Sequence, residues 1–234
     1  NYDSGEYARA LAKSLEVSKY PALRAEQRQR LEKNDRKLLG IGMACYVEMC
    51  GFGPYESAMI RVEPSGTVTA YTGASAHGQG HETTFAQLIA DYLGVDFDQV
   101  VVRHGDTTGA PMGFGTGGSR SLVVGGSAMV KAAEKVQERA RRIAASALEA
   151  AFEDVVVTDG LYHVKGTPAK SLTLANIAEK AYGEGLPAGM EPGLEATEYF
   201  RPPQLVYPFG AHVAVVEVDR DTGRVTLREY TSVD

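Results

Sequence analysis

The chain has 234 residues, a formal net charge of −6 at pH 7 and 44% hydrophobic residues. This length can bury one large core or two small ones, and the composition is that of a globular chain rather than a disordered one. No apolar run approaches the roughly 18 residues that span a bilayer, and the acidic balance argues against a nucleic-acid surface.

The first part of the chain, residues 3–33, has weak helical spacing of its apolar residues, with Ser4 as a candidate cap and Pro21 as an interruption. The composition then becomes more apolar. Residues 38–49 are rich in Leu, Ile, Val and Tyr, which predicts a buried strand.

Cys45 and Cys50 lie in or next to this strand. Two cysteines cannot form a disulfide framework or a four-thiolate metal site. We expect both to be reduced and buried, which suits a cytoplasmic location.

Strands and helices alternate irregularly through the rest of the chain, which favours the α+β class, with mixed sheets and packed helices. We expect a helical lead-in over residues 1–37 and a partial α+β domain over 38–234. The predicted elements are, in order, a hairpin (58–62 and 67–72), a loop (73–80), a helix (83–93), a short strand (100–102), a second loop (105–118), a long helix capped by Ser119 or Ser121, a hairpin (154–158 and 161–164), a helix (174–181) capped by Ser171 or Thr173, an extended segment (195–200) and a last hairpin (211–219 and 224–233).

The first glycine-rich loop runs through His77-Gly78-Gln79-Gly80-His81 into a predicted helix. Glycines on both sides of Gln79 let a ligand approach the backbone closely. The helix start beyond them offers unpaired N–H groups and a positive dipole end, which suit an anion. The alternative is a tight loop in which glycine only turns the chain.

The second glycine-rich loop, from Gly113 to Ser121, is dense in hydroxyl groups, contains Arg120 and precedes the long predicted helix. Such groups bind phosphate oxygens, so two anion-binding helix starts predict a ligand with phosphates. Two ordinary capped helices remain the alternative. The loop also has a formal G-x-G-x-x-G, but a Rossmann loop follows its strand at once, and this one does not.

The histidines predict little by themselves. His77 and His81 are four residues apart without a third ligand, so no metal site is predicted. His104, before Gly105 and Asp106, is predicted to be a turn residue. Spacing alone supports no Ser-His-Asp triad.

Both loops resemble the cofactor loops of the molybdenum hydroxylases, the family of xanthine dehydrogenase. The first similarity runs from His77 to Gln87 and the second from Gly115 to Ser121. The Gly-Ser-Arg-Ser form of the second loop is most similar to the large subunits of the aerobic carbon monoxide dehydrogenases. Other segments fit in the same order, so the resemblance covers nearly the whole chain.

This resemblance implies an oxidoreductase subunit that carries molybdenum on molybdopterin cytosine dinucleotide. The first loop would contact the pterin and its phosphate, with Gln79 near the metal, and the second would hold the pyrophosphate and nucleotide. The implied cofactor-binding residues are His77, Gly78, Gln79, Gly80, Thr83, Gly118, Ser119, Arg120 and Ser121. The implied partners are iron–sulfur and flavin subunits or domains and a small-molecule substrate: carbon monoxide, an aldehyde or an N-heterocycle.

Two family features have no counterpart in the sequence: the catalytic Glu and the substrate-side loop that carries Cys in the carbon monoxide enzymes. We therefore expect no catalytic residue and no metal ligand here, and a fragment that is inactive alone. Two other hypotheses remain at this point. One is an accessory or assembly protein that kept the fold, and the other is an unrelated binder of a phosphate-bearing ligand.

Overall fold

The computed structural model describes Tyr2, residues 4–110 and residues 112–234. Asn1, Asp3 and Pro111, which fall within the predicted lead-in and second loop, lie outside the described residues. The helices of this part are α1 (Tyr7–Val17), α2 (Tyr20–Glu32), α3 (His81–Leu93), α4 (Ser127–Leu148) and α5 (Leu174–Tyr182). The strands are β1 (Lys37–Val47), β2 (Glu56–Val62), β3 (Val68–Thr72), β4 (Val100–Arg103), β5 (Val155–Thr158), β6 (Leu161–Val164), β7 (Thr167–Thr173), β8 (Glu195–Phe200), β9 (Phe209–Asp219) and β10 (Val225–Val233).

The mixture of helices with parallel and antiparallel strands makes the chain α+β, as predicted. It forms two compact units, one from residues 1–50 and 205–234 and the other from residues 51–204. We call them the terminal unit and the central unit. The division expected at residue 38 stays a prediction.

The terminal unit is a three-stranded antiparallel sheet in the order β1-β9-β10, with α1 against β9 and β10 and α2 against β1. Its apolar core is small and consists of a cluster of four buried residues, Leu23, Leu39, Val213 and Val215. The last hairpin of the sequence analysis is therefore confirmed.

The prediction that residues 38–49 form a buried strand is correct in type but wrong in burial. β1 is an edge strand, and its residues from Gly42 onward are exposed. For the same reason Cys45 is exposed, whereas Cys50 is buried as expected. Helix α2 covers only the start of β1, around Leu39.

The described part of residues 3–33 is largely helical, as the spacing predicts, and forms two helices, but the predicted cap and the predicted interruption are wrong. Glu6, not Ser4, precedes α1, and no side chain caps that helix. The chain breaks at Lys19, which has a positive φ of 53°, so Pro21 lies in the first turn of α2 rather than at the interruption. A proline is tolerated there because its missing N–H has no helical partner.

The central unit is built on a four-stranded sheet in the order β4-β3-β2-β8. β2 is antiparallel to both neighbours, which confirms the hairpin with β3, whereas β3 and β4 are parallel. α4 packs on β2 and β8, and α3 packs on β4 and α4. The apolar face of α4 is buried, including Val136, Ala140 and Ile143.

The parallel pair β3 and β4 is joined by α3, so these elements form a β-α-β unit. The sequence pattern did not predict this pairing. Both glycine-rich loops follow the carboxyl ends of these neighbouring strands, where ligands commonly bind in sheets with parallel strands.

The predicted caps of the long helix, Ser119 and Ser121, are wrong. A π-helical turn (Ser121–Gly126) leads into α4, and no side chain caps either element. The small residues Gly125 and Gly126 are buried in that turn, next to the ring of Phe85. Closely packed backbone therefore precedes the N-terminus of α4, where a polar capping side chain was expected.

The remaining elements form a second antiparallel sheet in the order β5-β6-β7. The Thr173 side chain accepts from the Asn176 N–H at the start of α5, which confirms Thr173 as the cap. β7 was not predicted, because it is an exposed edge strand with Pro168 in it. The β5–β6 turn touches α3, since a Cβ added at Gly94 or Gly160 would overlap the other glycine's backbone.

Candidate functional site

The two glycine-rich loops meet at the carboxyl ends of β3 and β4, within the central unit. We call residues 73–80 the first loop and residues 104–120 the second loop. At their bases, a Cβ added at Gly73 would lie 2.8 Å from the Gly113 Cα. The Ser75 hydroxyl also lies 3.1 Å from the His104 ring. Residues 78–80 and 118–120 belong to these two touching loops and Ser121 follows the second one, but their convergence on one ligand stays a prediction.

The tip of the first loop leaves its backbone open on one side. Gly78 and Gly80 have positive φ angles of 110° and 81°, and a Cβ at either position would find no atom within 4 Å. The Gln79 side-chain oxygen accepts from the His77 N–H at 2.7 Å, which braces the tip. Within the described residues, this leaves the Gln79 NH₂ group available to a ligand.

The start of α3 has no side-chain cap, and Gly80 precedes it in a left-handed conformation. Thr83 is exposed there. His81 is only 5% exposed and stacks on Phe85, and its Nδ1 has no hydrogen-bond partner among the described groups. A buried polar atom without a partner is rare in folded proteins. The uncapped N–H groups and this nitrogen suit a polar, anionic ligand.

His104 is more than the predicted turn residue. Its Nδ1 lies 3.1 Å from the Ser75 hydroxyl, and its Nε2 lies 2.7 Å from the Glu82 carboxylate. This hydrogen bond to the imidazole lowers the pKa of the Glu82 carboxyl below its ordinary value. The imidazole therefore links the first loop to the first turn of α3.

Arg120 is buried in the base of the second loop, where it pairs with Glu56. The two residues are 4% and 0% exposed, and an Arg120 nitrogen lies 2.7 Å from the Glu56 carboxylate. The guanidinium also donates to the carbonyls of Phe52, Tyr55 and Gly115. The Arg120 side chain is thus committed to protein acceptors, and its contact with a phosphate stays a prediction.

The Glu56 carboxylate shapes the second loop from beneath. It accepts from the backbone N–H groups of Phe114 and Gly115 at 3.2 and 3.1 Å. A Cβ at Gly73 or Gly113 would overlap this carboxylate, so both loops need glycine where they cross it. Glu56 belongs to no motif of the sequence and was not predicted. The only indication in the sequence was an acidic residue two positions before the predicted strand 58–62.

The other predicted residues of the second loop lie on its exposed side. Gly118 and Ser119 have positive φ angles of 57° and 49°, and both are exposed. Their carbonyls accept from the N–H groups of Phe52 and Gly51 at 3.5 and 3.1 Å. Ser121 lies 3.1 Å from the Thr116 hydroxyl. These hydrogen bonds hold the loop in place while Gly118 and Ser119 stay exposed.

The donors collected here suit an organic anion better than a bare metal ion. Within residues 4–110 and 112–234, and at Tyr2, no group of three His, Cys, Asp or Glu side chains could hold a metal. No helix in the described part of the chain is long and apolar enough to cross a membrane.

The comparisons with known proteins agree with this geometry. The model of the family "Molybdopterin cofactor-binding domain" matches residues 13–234. The chain is 43% identical to the carbon monoxide dehydrogenase large chain of Hydrogenophaga pseudoflava, over 100% of this chain and 30% of that relative. It is 32% identical to the nicotine 6-hydroxylase large subunit of Paenarthrobacter nicotinovorans, with the same coverage.

A solved structure has the same fold. Reconstituted CO dehydrogenase from Oligotropha carboxidovorans superposes with a TM-score of 0.87 at 39% identity, covering 99% of this chain and 30% of that one. The chain thus spans about a third of the length of the relatives it matches.

Proposed function

Because this chain belongs to the molybdopterin cofactor-binding domain family, we propose that it forms part of the molybdenum-binding subunit of an oxidoreductase. One observation carries the proposal. Two glycine-rich loops leave neighbouring parallel strands, touch at their bases and present open backbone beside an uncapped helix start. Such a site suits a ligand with phosphate groups.

We assign the cofactor to the predicted residues of both loops. In the first loop these are His77, Gly78, Gln79, Gly80 and Thr83, and in the second they are Gly118, Ser119, Arg120 and Ser121. Open backbone and the Gln79 amide suit the pterin, and the exposed hydroxyls suit the pyrophosphate of a cytosine dinucleotide. Arg120 contributes by holding its loop from beneath. When bound, molybdenum and pterin supply the two-electron oxidation.

The proposed substrate is a small molecule. The relatives named as carbon monoxide dehydrogenases favour carbon monoxide, and the nicotine hydroxylase supports an N-heterocycle, with aldehydes as a further class. We also propose iron–sulfur and flavin partners that remove the electrons, and a cytoplasmic location. All the catalytic groups are proposed to lie outside these 234 residues.

A glycine pair tests the cofactor site. Gly80 and Gly166 have φ angles of 81° and 83°, and a Cβ at either would find no protein atom within 4 Å. Gly80→Ala and Gly166→Ala therefore carry similar backbone strain, of about 1–2 kcal/mol. We expect only Gly80→Ala to lower the molybdenum bound per polypeptide, by about tenfold, because only its methyl group enters the ligand space. Metal analysis of the whole polypeptide that carries this sequence measures the effect.

Nucleotide release by acid identifies the dinucleotide, and cytidine monophosphate is the expected product. Wild-type protein without molybdenum, or equal losses in the two alanine variants, contradicts the proposed site. Dye reduction with carbon monoxide, an aldehyde and an N-heterocycle then tests the activity. No reduction with any of the three by molybdenum-loaded protein contradicts the oxidoreductase assignment.

A further inference from the structure

Three side chains around the first loop form a continuous hydrogen-bonded chain. Ser75 lies at the beginning of the loop, Glu82 in the first turn of α3, and His104 directly after β4. The imidazole joins the other two, with distances of 3.1 Å to the Ser75 hydroxyl and 2.7 Å to the Glu82 carboxylate. The six residues between Ser75 and Glu82 include the whole His77-Gly78-Gln79-Gly80-His81 run.

The direction of the two hydrogen bonds follows from the charge of Glu82. An ionised carboxylate only accepts, so His104 Nε2 carries the proton and donates to Glu82. In a neutral ring Nδ1 is then an acceptor, and the Ser75 hydroxyl donates to it. These two hydrogen bonds thus select the tautomer of His104 that carries its proton on Nε2.

We propose that Ser75, His104 and Glu82 are positioning residues that hold the first loop in its ligand-binding conformation. This inference rests on the proposed function. Both ends of segment 76–81 are tied to one ring, and that ring is fixed at the end of β4. Tying both ends of the segment reduces the number of conformations that this loop, with its two glycines, can adopt. Less conformational entropy is therefore lost when the cofactor binds.

The surroundings of the ring support this role. Ser75 and His104 are half-buried, whereas the tip at Gly78 and Gln79 is exposed. A Cβ added at Gly105 would lie 3.6 Å from the Ser75 hydroxyl, so the next residue of the second loop packs on the same link. The link therefore stabilises the base of the loop and leaves the tip open.

Hydrogen exchange of the first loop tests the proposal without using activity. His104→Leu removes both bonds, and Ser75→Ala removes one with little change in shape. We expect the amides of His77 and Thr84, which donate to the Gln79 side chain and to the Gly80 carbonyl, to exchange about tenfold faster in His104→Leu and less so in Ser75→Ala. His163→Leu is the matched control, since His163 bonds to Thr158 and Val164 in the other sheet. It must leave these amides unchanged.

A rescue variant and a double variant distinguish a positioning role from a general loss of stability. A carboxamide can donate to Glu82 and accept from Ser75, so His104→Gln is expected to restore most of the protection. Because both bonds pass through one ring, Ser75→Ala and Glu82→Ala together should cost less than the sum of their single effects. Molybdenum retained after dialysis should fall in the same order as protection, while KM per loaded site stays unchanged.

Unchanged exchange of the His77 and Thr84 amides in both His104→Leu and Ser75→Ala overturns the proposal. If His104→Leu fails to fold, Ser75→Ala alone decides the question. The two proposals fail in different ways. Molybdenum-loaded wild type with unaltered loop exchange in the variants refutes the positioning role, whereas altered exchange in a protein that never binds molybdenum refutes the proposed function.

Discussion

The buried pair of Glu56 and Arg120 is the main structural feature of the site at the residue scale. Each residue would be costly to bury alone, and together they have charge compensation and several backbone partners. The pair fixes the second loop from inside, beneath the exposed face to which we assign the cofactor. Its contribution to binding is therefore indirect.

Breaking this pair should destabilise the protein strongly. Glu56→Gln leaves the Arg120 charge buried without compensation, and we expect a loss of about 3–5 kcal/mol in the free energy of unfolding. Glu195→Gln is the control, because Glu195 pairs with Arg61 in the same sheet and both side chains are more than a third exposed. That loss should be about 0–1 kcal/mol. Urea unfolding measures both, and similar losses would argue against the role of the buried pair.

Sequence reasoning identified the second loop and Arg120 but not the role of Glu56. A motif shows which residues are near one another along the chain. Glu56 is 64 residues from Arg120, and only strand pairing brings it beneath the loop. The Ser75–His104–Glu82 link was missed for the same reason, since its members lie on three different elements.

At the scale of elements, a charged network joins α2, β9 and β10 in the terminal unit. Arg30 lies 2.6 Å from Glu26 and 2.7 Å from Glu217, and Arg228 lies 2.7 Å from Glu26. A hydrogen bond from Arg228 lowers the pKa of the Glu26 carboxyl, and one from Arg30 lowers that of Glu217. The network therefore supports a unit whose apolar core is small.

This network should make the terminal unit sensitive to acid. Both carboxyls have an ordinary pKa of 4.5 and a lower one in the folded state, so the unfolded chain binds protons more readily. The stabilisation is complete above pH 4.5 and is lost as the pH falls through the lowered folded values. Between about pH 7 and about pH 3, the unfolding midpoint should therefore fall less in Glu217→Gln than in the wild type.

Glu6→Gln serves as the control for that experiment, since Glu6 forms an exposed pair with Arg9. An acid slope that is the same in wild type and Glu217→Gln contradicts the assigned role of the network.

Elements with strong periodicity were predicted well. The long helix α4, the hairpin of β2 and β3 and the helix α3 up to residue 93 were all confirmed. The π-helical turn and β7 were missed, because backbone packing determines the first and the second is an exposed edge strand with little apolar pattern. Tertiary packing overrides local preference in both places.

At the scale of the whole molecule, the two units have cores of very different size. The central core combines residues from the four-stranded sheet, α3, α4 and α5, whereas the terminal core consists of the four buried residues named above. Opening a larger packed core costs more free energy. The chain therefore contains regions of unequal local stability.

Native-state hydrogen exchange should show this difference directly. We expect the slowest amides to lie in β2 and α4 of the central unit, where Ile60, Met129 and Val136 are fully buried. The amides of β10 should exchange much faster, since that strand is an edge of its sheet and mostly exposed. Protection of β10 equal to that of β2 would contradict this ranking.

The α+β class followed from the sequence, but the choice of strand partners did not. β1 pairs with β9, with Lys37 opposite Asp219, although most of the chain separates them. Alternating patterns describe one strand at a time and carry no information about a distant partner. Likewise, no local pattern predicted that β3 and β4 would be parallel neighbours.

The contact between Gly94 and Gly160 has a consequence for the site at the opposite end of α3. With 13 residues, this helix is a stiff rod of about 20 Å. Its far end rests on a hairpin turn with no space for even one methyl group. A side chain at Gly160 would displace this end of the rod, and a stiff helix passes such a displacement on to the first loop at its other end. The proposed cofactor site is therefore sensitive to a substitution that touches none of its residues.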